Sequence, residues 1–190
     1  MEPAPARPPP RGLDGVAALL AYRGPGRELV ARLKYRNGRA AVAWLALGMA
    51  GLAPADSQAV TWVPTTPVRR RRRGFDQAEL LARAVARRLG LPCRPMLRRH
   101  RGPAQTGQPL EARRQGPRLE PGRVGPPRRV LLVDDVVTSG ATLAAAAAAL
   151  RRAGAVEVHA VLAASTPLKE LRPATDATLR GEWEQCAHDR

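Results

Sequence analysis

Two adjacent carboxylates stand at the end of an apolar run in the stretch "VLLVDDVVTSGATL", which covers residues 130–143. Asp134 and Asp135 follow the apolar run directly, and the hydroxyl-bearing residues Thr138 and Ser139 come shortly after them. Neighbouring acids repel each other, and this repulsion costs stability unless a ligand or a cation makes use of both charges. The pair is therefore predicted to hold a ligand that donates hydrogen bonds.

The loop that follows the acids comprises Val137, Thr138, Ser139, Gly140, Ala141 and Thr142. In open parallel sheets, ligands bind beyond the carboxyl ends of the strands, and the N-terminus of a following helix attracts phosphate. Gly140 lets the backbone approach a ligand closely, and the hydroxyl groups can donate to it. We expect this loop to bind the phosphate of a ribose 5-phosphate, while the acids accept from the ribose hydroxyls and a divalent cation offsets their repulsion.

Three competing assignments of this stretch fit less well. A phosphorylated receiver domain also has a strand that ends in two acids, but near the domain start, whereas here only one convincing strand follows and Lys169 stands alone. A nucleotide P-loop requires Gly-Lys, which the chain lacks, and the dinucleotide-binding pattern G-x-G-x-x-G is also missing. A strand end whose acids have no function is disfavoured by the cost of their repulsion.

The composition suits one basic domain with a polyanionic partner. Of 190 residues, 44% are hydrophobic and only 3% aromatic, so the core must consist of Leu, Val and Ala. The 32 basic residues outnumber 16 acids, and the resulting charge of +16 favours nucleic acid or a phosphate-rich small molecule, with a merely solvated basic surface as the alternative. The two cysteines form no CxxC pair, so neither a disulfide framework nor a zinc site is predicted.

The sequence predicts a cytoplasmic protein without a membrane span. A span needs roughly 18 consecutive apolar residues. The best candidate, residues 42–55, is too short and is interrupted by glycines and a proline. The N-terminus also lacks the basic-then-apolar pattern of a signal peptide.

Hydrophobic periodicity predicts the elements that must position the acids. Strands are expected at 15–22, 59–64, 128–134 and 156–165, with a weaker edge strand at 91–97, and helices at 25–38, 39–52, 75–90 and 141–154. The helix at 39–52 is apolar nearly all round and should be buried, and the helix at 75–90 should turn Leu80, Leu81, Val85 and Leu89 inward. Residues 65–74 and 98–127 are expected to form loops.

Strands that alternate with helices favour right-handed crossover connections and a mainly parallel sheet. We expect three regions: a disordered Pro-rich segment at 1–12, one α/β domain at 13–165 and a polar C-terminal tail at 166–190.

The stretch at 130–142 resembles the phosphoribosyl diphosphate (PRPP) signature of type I phosphoribosyltransferases. Residues 33–39, 63–92 and 98–116 are similar, in order and spacing, to the ComF/GntX-type family, so that the resemblance covers roughly residues 15–165. It implies a type I phosphoribosyltransferase-like α/β fold, in which helices flank a mainly parallel twisted sheet and a mobile loop covers the site.

By this resemblance, Asp134 and Asp135 would be the catalytic acids, in contact with the ribose hydroxyls and with magnesium-bound PRPP. The loop from Val137 to Thr142 would hold the 5-phosphate. Mg²⁺ is the implied cofactor, and it would lie near the two acids because PRPP brings it there.

The resemblance also implies two loops that contact the pyrophosphate end of PRPP. Thr65, Thr66, Arg69 and Arg70 would belong to the pyrophosphate loop after the first core strand. Arg101 and Gln105 would be contacts from the mobile loop, whose closure excludes water from an activated sugar.

The chain departs from the family pattern at two informative positions. Asp76 replaces the family's usual Asn, and Thr138 stands where the purine-salvage branch has an acidic base, which argues against a purine-salvage enzyme. The resemblance implies transfer of a phosphoribosyl group, with release of pyrophosphate, to an acceptor that the sequence does not identify. The alternative is a non-catalytic competence-type protein that binds single-stranded DNA during DNA uptake. A homodimer and a partner from the competence machinery are both left open.

Overall fold

The computed structural model describes residues 1–33, 39–99 and 117–167 of the chain. Its main sheet contains four parallel strands: β1 (Gly15–Ala21), β2 (Ala59–Trp62), β5 (Arg129–Val137) and β6 (Glu157–Ser165). They lie in the order β1-β6-β5-β2. A separate antiparallel pair joins β3 (Leu97–Arg99) to β4 (Leu119–Pro121).

Five helices complete the described part of the chain: α1 (Gly24–Arg32), α2 (Arg39–Ala50), α3 (Pro67–Arg73), α4 (Gln77–Leu89) and α5 (Ala141–Arg152). Helices α1, α2 and α4 pack on one face of the main sheet. Helix α5 and the β3–β4 pair pack on the other face. The predicted α/β fold, with a parallel sheet flanked by helices, is confirmed.

Strand β5 lies inside the sheet and is buried on both faces. Leu131 and Val133 belong to the core beneath α1, α2 and α4, whereas Val130 and Leu132 belong to the core beneath α5. This two-sided burial explains why the strand appears in the sequence as a continuous apolar run. Each such side chain stabilises the fold by about 1.5–3 kcal/mol, which anchors the strand that carries the two acids.

The predicted loop at 65–74 contains a helix, α3, and the loop prediction was wrong there. Thr66 caps the helix because its side chain accepts a hydrogen bond from the Arg69 backbone N–H at 3.3 Å, and Pro67 occupies the first turn. Gly74 ends the helix in a left-handed conformation with φ 81°. Arginine itself is a good helix former, so these start and stop signals outweigh the repulsion within the run of arginines.

Two predictions about helix faces were wrong. Helix α2 is not buried all round, because Trp44 is 44% and Leu47 56% exposed. In α4, Leu80 is 40% exposed, whereas Leu81 and Val85 are fully buried as expected. Buried alanines flank these two residues on the face toward the sheet, whereas Leu80 lies on the opposite side of α4.

Only part of the predicted edge strand at 91–97 forms. Cys93 makes a single bridge to Val60 on the free edge of β2, and regular pairing begins only at Leu97 in β3. The predicted loop at 98–127 also contains a short strand, because Leu119 is buried and β4 pairs with β3. Residues 100–116 lie outside the described part of the chain.

The structure gives the N-terminal Pro-rich segment a defined place, which differs from the disorder expected for residues 1–12. The Ala4 N–H donates to the Leu19 carbonyl at 3.2 Å, and the Ala21 N–H donates to the Glu2 carbonyl at 3.0 Å. Glu2 also pairs with Arg23. These bonds place residues 2–4 antiparallel along the free edge of β1, since Pro3 bridges to Leu20.

None of the helices in the described ranges combines the length and the apolar character that crossing a membrane requires.

Candidate functional site

The parallel arrangement brings the carboxyl ends of β2, β5 and β6 to one edge of the sheet. Trp62 at the end of β2 lies opposite Val133, so the segment with Thr65 and Thr66 leaves the sheet at the edge where Asp134 lies. On the other side of β5, Val137 lies opposite Ser165 at the end of β6. The three strand ends therefore meet around the two acids, at the edge where open parallel sheets bind ligands.

Asp134 and Asp135 are half-buried, and each carboxylate already accepts a backbone hydrogen bond. The Asp135 N–H donates to Asp134 Oδ1 at 2.9 Å, and the Val136 N–H donates to Asp135 Oδ1 at 2.7 Å. A carboxylate can accept several hydrogen bonds, so the pair can still accept from further donors, such as the two hydroxyl groups of a sugar diol.

Burial raises the pKa of Asp134 well above its ordinary value, and repulsion from Asp135 raises it further. Asp76 adds a smaller contribution to the raised pKa of Asp134 in the same direction. The site thus holds one acid that resists ionisation. Ligand groups that donate hydrogen bonds, or a nearby cation, would favour its charged form.

The loop after β5 presents backbone donors at the start of α5. Gly140 adopts a left-handed conformation, with φ 82°, and as the N-cap residue it has no side chain to satisfy the first turn. The Ala141 N–H donates to the Ser139 hydroxyl at 3.4 Å. Thr138 and Ser139 are exposed. A helix N-terminus with unused N–H groups and adjacent hydroxyls is suited to bind phosphate.

Asp76 organises the segment between β2 and α4. Its Oδ2 atom accepts from the Thr65 N–H at 2.8 Å, while Oδ1 accepts from the N–H groups of Ala78 and Glu79 at 3.1 and 3.5 Å. Burial raises the pKa of Asp76 despite these three bonds. Asp76 therefore fixes Thr65 to the start of α4, and this is a role that an asparagine, with one acceptor oxygen, fulfils only in part.

The arginines after β2 have different surroundings. Arg70 contacts Glu79 at 3.6 Å, and Arg73 donates to Gln77 at 2.7 Å, so both side chains are directed toward α4. Arg69 is exposed and lies close enough to Arg99 to lower the pKa of that guanidinium, although burial of Arg99 is the larger cause.

Arg99 is a site residue that the sequence did not single out. Its Nε atom donates to the Pro64 carbonyl at 3.1 Å, and both Asp134 and Asp76 act on its charge. Arg99 therefore joins the segment after β2 to the acids on β5. It belongs to a run of arginines, and nothing in such a run indicates which member turns inward.

The sequence-predicted residues thus fall into three groups. Asp134, Asp135, Thr65, Thr66 and the loop from Val137 to Thr142 meet at one edge of the sheet, and Arg69 lies near it. Arg70 is directed toward Glu79. Arg101 and Gln105 lie outside the described residues.

The chain matches the family model described as a phosphoribosyl transferase domain over residues 76–183, which is more than half of its length. The chain belongs to the phosphoribosyl transferase domain family. The matched region contains Asp76, α4, both acids and residues 137–142, the phosphate-type loop. The predicted membership of the type I phosphoribosyltransferase superfamily is thereby confirmed.

Two solved structures are similar to parts of this phosphoribosyltransferase domain. One, described as the allosteric regulatory enzyme of purine biosynthesis, is 27% identical, with a TM-score of 0.46 over 71% of this chain and 26% of that one. The other is glutamine phosphoribosylpyrophosphate amidotransferase from B. subtilis, in complex with ADP and GMP. It is 25% identical, with a TM-score of 0.45 over the same shares. The chain thus spans about a quarter of the length of each. No curated protein matches its sequence.

The two acids can supply only part of the ligands that Mg²⁺ needs, and the rest would have to come from water and a bound phosphate. Carboxylate oxygens are ligands that Mg²⁺ prefers, and the ion usually takes one or two of them together with water and substrate phosphates. Among the described residues, no group of three or more acidic, histidine or cysteine side chains could hold a metal by itself. Asp134 and Asp135 therefore fit an ion that arrives with a polyphosphate, where it would neutralise negative charge.

Proposed function

We propose that this protein binds PRPP together with Mg²⁺ and transfers its phosphoribosyl group to an acceptor, with release of pyrophosphate. The observation that carries the proposal is the position of two half-buried carboxylates one short loop before a helix N-terminus with unused N–H groups. A ribose 5-phosphate presents a diol and a phosphate in the same order. Membership of the phosphoribosyl transferase domain family supports the same ligand.

Each part of the site has a chemical task in this proposal. The backbone donors and hydroxyls of residues 137–142 bind the 5-phosphate, and Asp134 and Asp135 accept from the ribose hydroxyls. Thr65, whose N–H is held by Asp76, and the neighbouring Thr66 would orient the pyrophosphate, with Arg69 and Arg99 supplying positive charge close by. The chain would accelerate the reaction by positioning and charge neutralisation rather than by a covalent intermediate.

Calorimetric titration with PRPP and Mg²⁺ tests this proposal. We expect saturable binding to the wild type and loss of binding in the double variant Asp134→Asn, Asp135→Asn. A matched control is Asp56→Asn, because Asp56 pairs with Arg129 at the opposite end of β5. Absence of wild-type binding, or equal binding by the double variant, would refute the proposal.

A pyrophosphate-release assay over a panel of nucleobases and amines would then identify the acceptor. The double Asn variant serves as the background, since its pyrophosphate release measures only non-enzymatic hydrolysis. If PRPP binds and no acceptor yields pyrophosphate above this background, the transfer step of the proposal is wrong while the binding step stands.

We further propose that the protein is of the ComF type, on the basis of the similar segments at 33–39, 63–92 and 98–116. A second candidate function, sequence-independent binding of single-stranded DNA, is favoured by one structural observation. Helix α3 presents an exposed row of arginines, and within the described residues no ion pair neutralises Arg69, Arg71 or Arg72. Such a row suits contact with a phosphate backbone.

Titration of labelled single-stranded DNA at several salt concentrations tests this second candidate. Affinity should fall steeply with salt, since each neutralised phosphate adds about 0.7 to the slope of log affinity against log salt for single strands. Replacement of Arg71 and Arg72 by Gln should reduce the slope, whereas Arg87→Gln and Arg88→Gln, at the far end of α4, should leave it unchanged. A flat salt response would contradict the electrostatic account.

A further inference from the structure

The N-terminal segment carries an arginine onto the phosphate-type loop. The Arg7 Nη1 atom donates to the Thr138 carbonyl at 3.1 Å and to the Ser165 hydroxyl at 3.3 Å. Pro10 covers Gly140 from the same side, since a Cβ atom built on Gly140 would lie 2.7 Å from Pro10 Cγ and 3.5 Å from Arg7 Nη2. Residues from the two ends of the described chain thus meet at this loop.

The guanidinium of Arg7 is only partly satisfied by these contacts. Its Nε atom is buried without a hydrogen-bond partner, and within residues 1–33, 39–99 and 117–167 no carboxylate forms an ion pair with it. Burial lowers the pKa of Arg7, and no neighbouring acid counteracts that effect. A partly buried cation that lacks an anion is costly, and a bound anion would remove that cost.

The surrounding bonds hold Arg7 in this position independently of any ligand. Residues 2–4 pair with the edge of β1, and the Leu13 N–H donates to the Pro10 carbonyl at 3.0 Å. Leu13 itself is buried beneath α5. The segment is therefore anchored on both sides of Arg7, so that the guanidinium is presented to the loop at a small additional entropic cost on ligand binding.

We propose that Arg7 is a further ligand-binding residue, whose guanidinium contacts the sugar phosphate held by residues 137–142. The inference rests on the proposed function, because it assigns an additional contact to the same phosphate group. Nη1 makes both observed bonds and Nε is enclosed by protein atoms, so Nη2, which lies on the side of Gly140, is the guanidinium atom that would donate to a phosphate oxygen. A charge-assisted hydrogen bond of this kind favours a phosphate monoester over an uncharged sugar.

Calorimetric titrations with ribose 5-phosphate, PRPP and pyrophosphate, each with Mg²⁺, test this assignment. Arg7→Gln should weaken binding of ribose 5-phosphate and PRPP by about 10- to 100-fold, the range of one charge-assisted hydrogen bond. Pyrophosphate affinity should not change, because its predicted site lies after β2. Arg7→Lys keeps the charge without the fixed direction of the guanidinium N–H groups and should give an intermediate loss.

Arg11→Gln is the matched control, since Arg11 is exposed in the same segment and its replacement changes the net charge equally. Equal losses in the Arg7 and Arg11 variants would overturn the assignment, because the effect would then be a general one of charge. Unchanged or tighter binding of ribose 5-phosphate by Arg7→Gln would also overturn it, and tighter binding would identify the segment as a competitor of the ligand.

The same experiment separates this inference from the proposed function. If the wild type binds neither PRPP nor ribose 5-phosphate, the proposed function fails and the role of Arg7 fails with it. If the wild type binds both and Arg7→Gln binds them equally well, only the role of Arg7 fails. A parallel loss of pyrophosphate affinity in Arg7→Gln would show that this variant disturbs the whole site. Arg7→Lys then decides: an intermediate loss confined to the sugar phosphates supports the assignment, and a loss for all three ligands overturns it.

Discussion

Replacement of Asp134 by asparagine should stabilise this protein at neutral pH. Burial and the neighbouring Asp135 both oppose ionisation of Asp134 and raise its pKa. Asparagine keeps the oxygen that accepts from the Asp135 N–H, and its amide group resembles the protonated carboxyl without the charge. Asp134→Asn therefore removes a destabilising charge while it preserves the local hydrogen bond.

The size of the gain depends on pH in a defined way. The folded protein holds the Asp134 proton more tightly than the unfolded chain, so stability falls as pH rises from about 4, the ordinary Asp value, through the raised pKa in the folded state. Above the folded-state pKa this loss of stability is complete. Asp134→Asn carries no charge at this position, so its free energy of unfolding should exceed that of the wild type by about 1.4 kcal/mol for each unit by which the pKa is raised.

Urea unfolding followed by circular dichroism, at pH values between about 4.5 and 8, measures this difference. We expect the two proteins to be nearly equal at the acidic end and to diverge as pH rises. Asp135→Asn provides a comparison: it removes only the repulsion, which is a smaller cause of the raised pKa than burial, so its gain should be smaller. A variant that is less stable than the wild type at the basic end, or a difference that does not change with pH, would refute the reasoning.

Two further substitutions test how the site is positioned. Asp76→Ala removes the cap of α4 and the acceptor for the Thr65 N–H. The free energy of unfolding measured in urea should therefore fall by about 1–2 kcal/mol. A change below about 0.5 kcal/mol would contradict the role of Asp76. Gly26→Ala would place a Cβ atom 2.4 Å from the Ala21 carbonyl oxygen, so the melting temperature should fall. Gly125→Ala is the neutral control, because open space surrounds that position. Equal effects of both substitutions would show that α1 can shift to accommodate the added methyl group.

The sequence predicts the sheet and the position of the acids well, because both depend on patterns among neighbouring residues. A strand buried on both faces is a continuous apolar run, and β5 extends from Arg129 to Val137, three residues beyond the predicted end at Asp134. The twin acids stand directly after this run, so their position at the ligand edge follows from the parallel order of the strands alone. The helix that follows them begins at Ala141, as the position of Gly140 indicates.

The parts that sequence reasoning missed depend on contacts between distant residues. Arg7 reaches Thr138 and Ser165 only because the N-terminal segment runs along β1, and composition alone predicts disorder for a Pro-rich stretch. Arg99 contacts the Pro64 carbonyl, from a strand that was predicted to be a loop. In α3, Pro67 and Gly74 act as local start and stop signals, but a proline and a glycine this close together are equally typical of a loop.

Proline-containing segments cover both outer strands of the main sheet. Residues 2–4 lie along β1, and on the far side the Val60 N–H donates to the Pro92 carbonyl at 2.9 Å while the Arg94 N–H donates back to Val60. Unpaired outer strands are where sheets of separate molecules join and aggregate, and a proline cannot donate the bond that would extend the ladder. Two copies of this protein are therefore not expected to associate by extending the main sheet, and a variant that releases either segment should be prone to aggregate through the uncovered strand.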